Sequence, residues 1–260
     1  MTSPNQTAPV LFVGHGSPMN ALDDNEYTRN WTAVAAKISK PRAILSISAH
    51  WYTHGSRIND TLQPQMIYDM YGFPPELYRL TYPAQGSPEL ARLTQQLITA
   101  NEVAVDNRWG YDHGTWSVLC RMYPEADIPV LQLSIDRDAP ATAHFEIGRE
   151  LHALRNQGVM IFASGNVVHN LAESDWGLAG GYPWAIEFDN YIKEQIQAKR
   201  YQNVIQYQTA GPAAKLAFPT PDHFYPLLYA LGAVTATDRL SVFNDACTMG
   251  SMSMTSYLWE

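Results

Sequence analysis

Four apolar residues, Val10-Leu11-Phe12-Val13, run directly into Gly14-His15-Gly16-Ser17-Pro18, and this junction constrains the fold more than any other stretch. A run this short, β-branched and bounded by glycine and proline, reads as a buried strand rather than a helix. The glycines let the backbone turn sharply where the strand ends. His15 is thereby set at the carboxyl end of a central strand, where open α/β sheets gather their ligands. The pattern recurs. Ala43-Ile44-Leu45-Ser46-Ile47-Ser48-Ala49 runs into His50, and Val159-Met160-Ile161-Phe162-Ala163 runs through Ser164-Gly165-Asn166 toward His169. Strands that end in histidines suggest one shared metal site.

Helical signals fall between these strands. Residues 20–39 carry Trp31, Val34, Ala35 and Ile38 at helical spacing, and Pro41 stops them. Ser87-Pro88-Glu89 combines an N-cap, a first-turn proline and a first-turn acid, and opens a helix to about Ala100. A short strand is expected at residues 103–105, a loop at 107–116, a helix from there to Pro124 and a buried strand at 128–135. Pro140 opens a helix toward Asn156 that Gly158 closes, and Pro183 opens another with Ala185, Phe188, Ile192 and Ile196 on one face. Residues 240–243 and 252–258 read as closing strands, open to antiparallel pairing. Alternating strands and helices predict an α/β fold: a single domain over residues 1–260, with a mostly parallel mixed central sheet and helices on both faces. Residues 61–86 are the exception. They hold Tyr68, Tyr71, Phe73, Tyr78 and Tyr82 among four prolines, without periodicity. A connection this long is either a lid or substrate wall, or a coil packed on the core.

Composition excludes several classes. Of 260 residues 46% are hydrophobic and 16% charged, which is globular rather than disordered. A net charge of −8 argues against nucleic acid or an anionic membrane surface as partner. Cys120 and Cys247 are the only cysteines, so neither a disulfide framework nor a thiolate cluster is expected. Residues 1–8 are polar and the apolar run after them is too short for a secretion signal, and no segment reaches membrane-spanning length. A cytoplasmic monomer or small homo-oligomer is the expectation. H-E-x-x-H, G-x-S-x-G and P-loop motifs are absent, and Ser17-Pro18 after Gly14-His15-Gly16 spoils a dinucleotide turn.

The eight histidines divide by context. His15 and His50 follow buried strands beside small residues and are candidate ligands. His223, in Pro221-Asp222-His223-Phe224-Tyr225-Pro226, would complete a three-histidine site with an open position, and Asp222 could orient its ring or anchor the loop. His169 is either a fourth ligand or a general acid/base. His113 is either a turn residue or, beside Trp109 and Trp116, a contact for an aromatic substrate. His54 is expected beside the site or on the surface, and His144 and His152 on the exposed face of a helix.

Five motifs stand in order: Gly14-His15-Gly16-Ser17-Pro18, Ser48-Ala49-His50-Trp51, Asp112-His113-Gly114-Thr115-Trp116, Ser164-Gly165-Asn166-Val167-Val168-His169-Asn170-Leu171 and Pro221-Asp222-His223. Together they resemble the class III extradiol ring-cleaving dioxygenases, the superfamily of the protocatechuate 4,5-dioxygenase catalytic subunit, and most of all their single-domain 4,5-DOPA branch. The resemblance covers nearly the whole chain. It implies one domain with a non-haem metal, with His15, His50 and His223 at the ligand positions, His169 at the acid/base position and His113 in the substrate pocket. It also implies a catechol and dioxygen as substrates and a muconic-semialdehyde-type product, which for DOPA is a seco-DOPA. One departure matters. Oxygen-activating members use two histidines and a glutamate, the set suited to Fe(II). Here the third position is His223, and three neutral histidines also suit zinc. The expectation is one divalent metal, Zn2+ as isolated and Fe2+ for oxygenation. Two other functions stay open on the sequence: a zinc hydrolase, which would not need oxygen, and a metal-binding interaction protein with a blocked pocket.

Overall fold

Alternation along the first strand builds two cores at once. In β1 (Val10–Gly14), Val10 and Phe12 enter one apolar cluster while Leu11 and Val13 enter the other. β2 (Ala43–Thr53) follows after α1 (Glu26–Lys37). The computed structural model describes residues 7–260, and the expectation that residues 1–8 carry no secretion signal falls largely outside them. The order continues with β3 (Ser56–Ile58), α2 (Pro88–Leu97), β4 (Val103–Val105), α3 (His113–Met122), β5 (Val130–Asp136), α4 (Ala141–Arg155) and β6 (Val159–Gly165). After these come α5 (Pro183–Gln197), α6 (Tyr201–Ile205), α7 (Ala214–Ala217), α8 (Tyr225–Ala233), β7 (Leu240–Phe243), β8 (Cys247–Thr248), β9 (Met252–Ser253) and β10 (Ser256–Trp259). Among the described residues, eight strands form one mixed sheet in the order β4-β3-β5-β2-β6-β1-β10-β7. The central β5-β2-β6-β1 pairings are parallel, and β10 and β7 close one edge antiparallel. One face is covered by α2, α4, α5 and α8, the other by α1 and α3 with their buried Trp31 and Trp116. The expected α/β architecture is the observed one. Among the described residues no helix is long and apolar enough to cross a membrane.

Boundaries differ from the sequence expectation for local reasons. The helix expected at residues 20–39 is two pieces: a short 3-10 turn at Pro18–Ala21, then α1, which starts only where Asn25 caps it by accepting from the Thr28 N–H. The loop expected up to Trp116 ends at Asp112, whose side chain accepts from the Thr115 N–H and starts α3 at His113. The strand expected over residues 252–258 is broken between β9 and β10. The buried helix α8 has no sequence signal of its own. Tyr225-Pro226-Leu227-Leu228-Tyr229-Ala230-Leu231-Gly232-Ala233 is apolar all round, as a helix enclosed on every side must be, and so lacks a 3.6-residue period. It meets α4 at glycines: a Cβ on Gly148 would lie 2.3 Å from the Tyr229 carbonyl oxygen, and one on Gly232 would lie 2.1 Å from that of Phe145.

That tight contact corrects the reading of His144 as exposed. Its ring is fully buried between α4 and α8, with Nδ1 3.0 Å from the Tyr229 hydroxyl. His152 is half-buried, its Nδ1 3.0 Å from the Ala233 carbonyl oxygen. Burial pushes the His144 pKa down to about 4, against the weaker opposing pull of the Ala139 backbone and the Asp136 charge. An unfolded chain titrates this ring near its ordinary value of about 6.5. Between the two values the unfolded state holds a proton that the folded state refuses, so stability falls as pH drops through this window, by about 3 kcal/mol in all. Urea unfolding at pH 7 and pH 4.5 is expected to show a smaller loss in His144→Phe than in the wild type, the difference being most of this amount, while the other buried histidines lose stability alike in both. Equal losses in both proteins would show that His144 is not its source.

Candidate metal centre

β1 delivers His15 one residue past its end, where the His15 N–H still donates to the Gly165 carbonyl at 3.1 Å and continues the β1–β6 ladder. His50 lies within β2 rather than after it, which corrects the expectation. The pairing of β2 with β6 nonetheless stops at Ser48, and its register with β5 shifts between Ile47 and Tyr52. His50 therefore sits where the strand leaves its partners. His223 precedes α8 and is seated on Gly165: a Cβ there would lie 2.1 Å from the His223 carbonyl oxygen, which accepts from the Asn166 N–H at 2.9 Å. Only glycine permits that approach. His113 is the first residue of α3. His169 lies beyond β6, its N–H donating to the Ala217 carbonyl at 2.8 Å.

These five rings form one cluster. The His15 ring centroid lies 5.0 Å from that of His50 and 5.4 Å from those of His113 and His223. His50 and His113 are 3.9 Å apart, and His169 stacks on His223 at 3.5 Å with 4° between the planes. The hydrogen bonds at the outer nitrogens decide the tautomers. Ser164 donates its hydroxyl proton to the Gly114 carbonyl at 2.6 Å, so its oxygen accepts from His15 Nδ1, 3.0 Å away. Asp222 Oδ2 lies 2.6 Å from His223 Nδ1. Asp69 Oδ2 lies 3.1 Å from His50 Nδ1 and 3.0 Å from His113 Nδ1. A carboxylate only accepts, so Nδ1 is the donor in the His113–Asp69 and His223–Asp222 hydrogen bonds, whereas the approach of His50 Nδ1 to Asp69 is an ion-pair distance without hydrogen-bond geometry.

The inward nitrogens meet one another or no partner at all. His15 Nε2 and His50 Nε2 face each other at 3.1 Å, and His223 Nε2 is buried without a hydrogen-bond partner. One ring nitrogen from each of His15, His50 and His223 lies within 4.8 Å of the others. A three-nitrogen imidazole donor set, with an acceptor oxygen beside each outer nitrogen, fits a divalent cation. Charge agrees with this. Burial first, then the neighbouring histidines, hold His15 and His50 well below the ordinary histidine pKa, and burial and His223 do the same to His169. All three are neutral at pH 7, the ligating form. At Asp222 burial works to raise the pKa, but the hydrogen bond and charge of His223 and the Thr220 hydroxyl outweigh it, and the carboxyl is held down. Asp112, beneath the cluster, is pushed up to about 6 by burial and then by Asp69, against hydrogen bonds from Ser48 and Gln132.

The remaining expectations resolve as follows. His54 is on the surface, its Nδ1 2.7 Å from Asp138 Oδ2. Trp116 is fully buried with its Nε1 donating to the Ile67 carbonyl at 3.0 Å, so it faces the core and not a substrate. Trp109 stacks on Trp51 at 6.3 Å and donates to Asp112 Oδ2 at 3.2 Å. Residues 61–86 are mostly a packed coil: Leu77, Tyr82 and Ala84 enter the second core, and Tyr71 marks an exposed tip. Asp69 on that coil is the site residue the sequence reading missed. A lone aspartate in an aperiodic stretch carries no local signal.

Comparison with known proteins follows this geometry. A family model described as the catalytic LigB subunit of aromatic ring-opening dioxygenase matches residues 9–257. The chain is 46% identical over 252 residues to the 4,5-DOPA dioxygenase extradiol of Escherichia coli (strain K12), covering 95% of this chain and 93% of that protein. It is 38% identical over 264 residues to the protein of the same name from Beta vulgaris, covering 99% and 98%. A crystal structure of an uncharacterized Escherichia coli K12 protein superposes with a TM-score of 0.85 at 42% identity, over 96% of this chain and 99% of that one.

Proposed function

The chain belongs to the LigB family of aromatic ring-opening dioxygenases and is an extradiol ring-cleaving dioxygenase; from that premise we propose that its substrate is a catechol such as L-DOPA, opened beside the diol to a seco-DOPA at a divalent metal held by His15, His50 and His223. The observation that carries this reading is the inward convergence of three imidazole nitrogens, each ring with its outer nitrogen beside an acceptor oxygen. When bound, the metal supplies the Lewis acidity that draws in the catechol oxygens and, if it is iron, the electrons that dioxygen requires.

The protein's own groups do the rest. His169, half-buried and neutral, accepts a proton from the catechol hydroxyl and returns one as the ring opens. His113 has its Nδ1 committed to Asp69 and offers Nε2 as an acceptor toward the substrate. Buried walls keep bulk water from these exchanges and strengthen each polar contact.

The test is oxygen uptake by metal-stripped protein reloaded anaerobically with Fe2+ or Zn2+, then given L-DOPA or simple catechols. Uptake with a new yellow product is expected for the iron form alone, because zinc has no redox chemistry. Turnover by iron-free zinc protein would overturn the iron requirement. No uptake with either metal, despite tight binding, would overturn the catechol reading.

A further inference from the structure

The break between β9 and β10 is held by a buried charge on α5. Ser253 Oγ donates to Asp189 Oδ1 at 2.5 Å and Thr255 Oγ1 donates to Oδ2 at 2.7 Å. The Thr255 N–H donates in turn to Ser253 Oγ at 3.2 Å, so that hydroxyl directs its one proton at the carboxylate. Burial pushes the Asp189 pKa up to about 6, against the two hydroxyls and the Lys193 charge, and Asp245 adds to the rise; the group is still ionised at pH 7. Lys193 itself is paired with Asp245 at 2.6 Å. The Cys247 thiol and the Tyr257 hydroxyl, which also face Asp189, are pushed up by burial and then by Asp189, and stay uncharged. A buried carboxylate is costly, and two charge-assisted hydrogen bonds offset that cost here.

The stretch so anchored touches both sides of the histidine cluster. Met254 lies on the strand end before His15: a Cβ on Gly14 would stand 2.7 Å from the Met254 carbonyl carbon, and one on Gly16 would stand 2.6 Å from the Met254 Sδ. The Gly14 N–H donates to Ser256 Oγ at 3.1 Å, and that hydroxyl donates to the Met254 carbonyl at 2.9 Å. On the other side, the Ser253 N–H donates to the Val168 carbonyl at 2.9 Å, and the Ser253 carbonyl accepts from Asn166 Nδ2 at 2.7 Å. Met252 forms an antiparallel bridge with His169 itself.

We propose that Asp189 is a positioning residue: by fixing Ser253 and Thr255 it seats residues 252–256 between the strand end that carries His15 and the loop that carries His169, and so sets where the two rings stand relative to each other. This rests on the reading of His15 as a metal ligand and His169 as the acid/base. Proton transfer needs its partners within hydrogen-bond reach, and a displacement of about 1 Å made far from the chemistry can cost roughly 10²-fold in rate. Asparagine at this position keeps the shape but offers one acceptor where two are needed. Its NH2 meets the second hydroxyl as a donor, and that hydroxyl's proton is left without its acceptor.

The experiment compares the wild type, Asp189→Asn and Thr255→Val as full chains, with thermal melts as the folding control. With Fe2+ and L-DOPA, Asp189→Asn is expected to lose roughly 10²-fold in kcat while KM changes little, because the substrate's own contacts are untouched. In parallel, ring spectra of histidine-labelled, metal-free protein are expected to show the His15 and His169 resonances displaced and those of His54 and His152 unmoved. Thr255→Val removes one hydroxyl without changing the shape; it is expected to displace the same rings by less, and it carries the test if Asp189→Asn does not fold. Unmoved His15 and His169 resonances, displacements spread equally over His54 and His152, or wild-type kcat in a folded Asp189→Asn would each overturn the proposal. A wild type that takes up no oxygen overturns the dioxygenase reading instead, and the ring spectra then decide Asp189 alone.

Discussion

Protein carrying His15→Ala or His50→Ala is expected to emerge from purification folded but without its metal. Each ring supplies one of the three inward nitrogens that approach within 4.8 Å; His169 lies flat on His223 outside that set, and the neighbouring group of His50, Asp69 and His113 itself shares His50. Losing a direct ligand should exceed the roughly 10–100-fold loss of affinity that removal of an outer partner causes. The fold should survive, because the backbone pairing at both positions does not need the ring and neither ring belongs to the two apolar cores. Metal content by plasma mass spectrometry, with thermal melts as the folding control, decides the matter. Normal metal content in both variants would sink the site assignment; loss of fold in both would move these rings from function to structure.

His169→Ala is expected to behave in the opposite way, keeping most of its metal while losing turnover by about 10²–10⁴-fold, the usual worth of a positioned acid/base. The geometry separates the two roles. The His169 ring is parallel to that of His223 and 3.5 Å from it, so it flanks the donor set without adding to it. Burial and the His223 ring keep it uncharged, ready to take a proton at neutral pH. Metal analysis and oxygen uptake on the same preparation test both halves. A parallel fall in metal and turnover would make His169 a fourth ligand; full turnover would remove it from the chemistry.

Much of this site was legible because its signals are local. An apolar run ending in Gly14-His15-Gly16, and two more runs that lead to His50 and His169, name the strands and the end of the sheet where the rings gather. Asp222 beside His223 is a neighbour in the chain and was readable as its partner. The failures share a cause as well. The sequence points His144 at solvent because nothing in α4 announces that a helix without a polar side, α8, will cover it. The sequence sets His50 after its strand because a register shift depends on what β5 does, not on β2 alone.

What the sequence determined by itself is therefore the alternation of strands and helices, the order of the histidines, and the glycines that let backbones close around them. These follow from side-chain period and backbone freedom within a few residues. The tertiary structure alone decided which nitrogen of each ring faces inward. His15 is oriented by Ser164, 149 residues away, and His113 by Asp69, 44 residues away. A proton on one side of an imidazole is placed by whatever acceptor folding brings against it, and that pairing leaves no periodic trace in the chain.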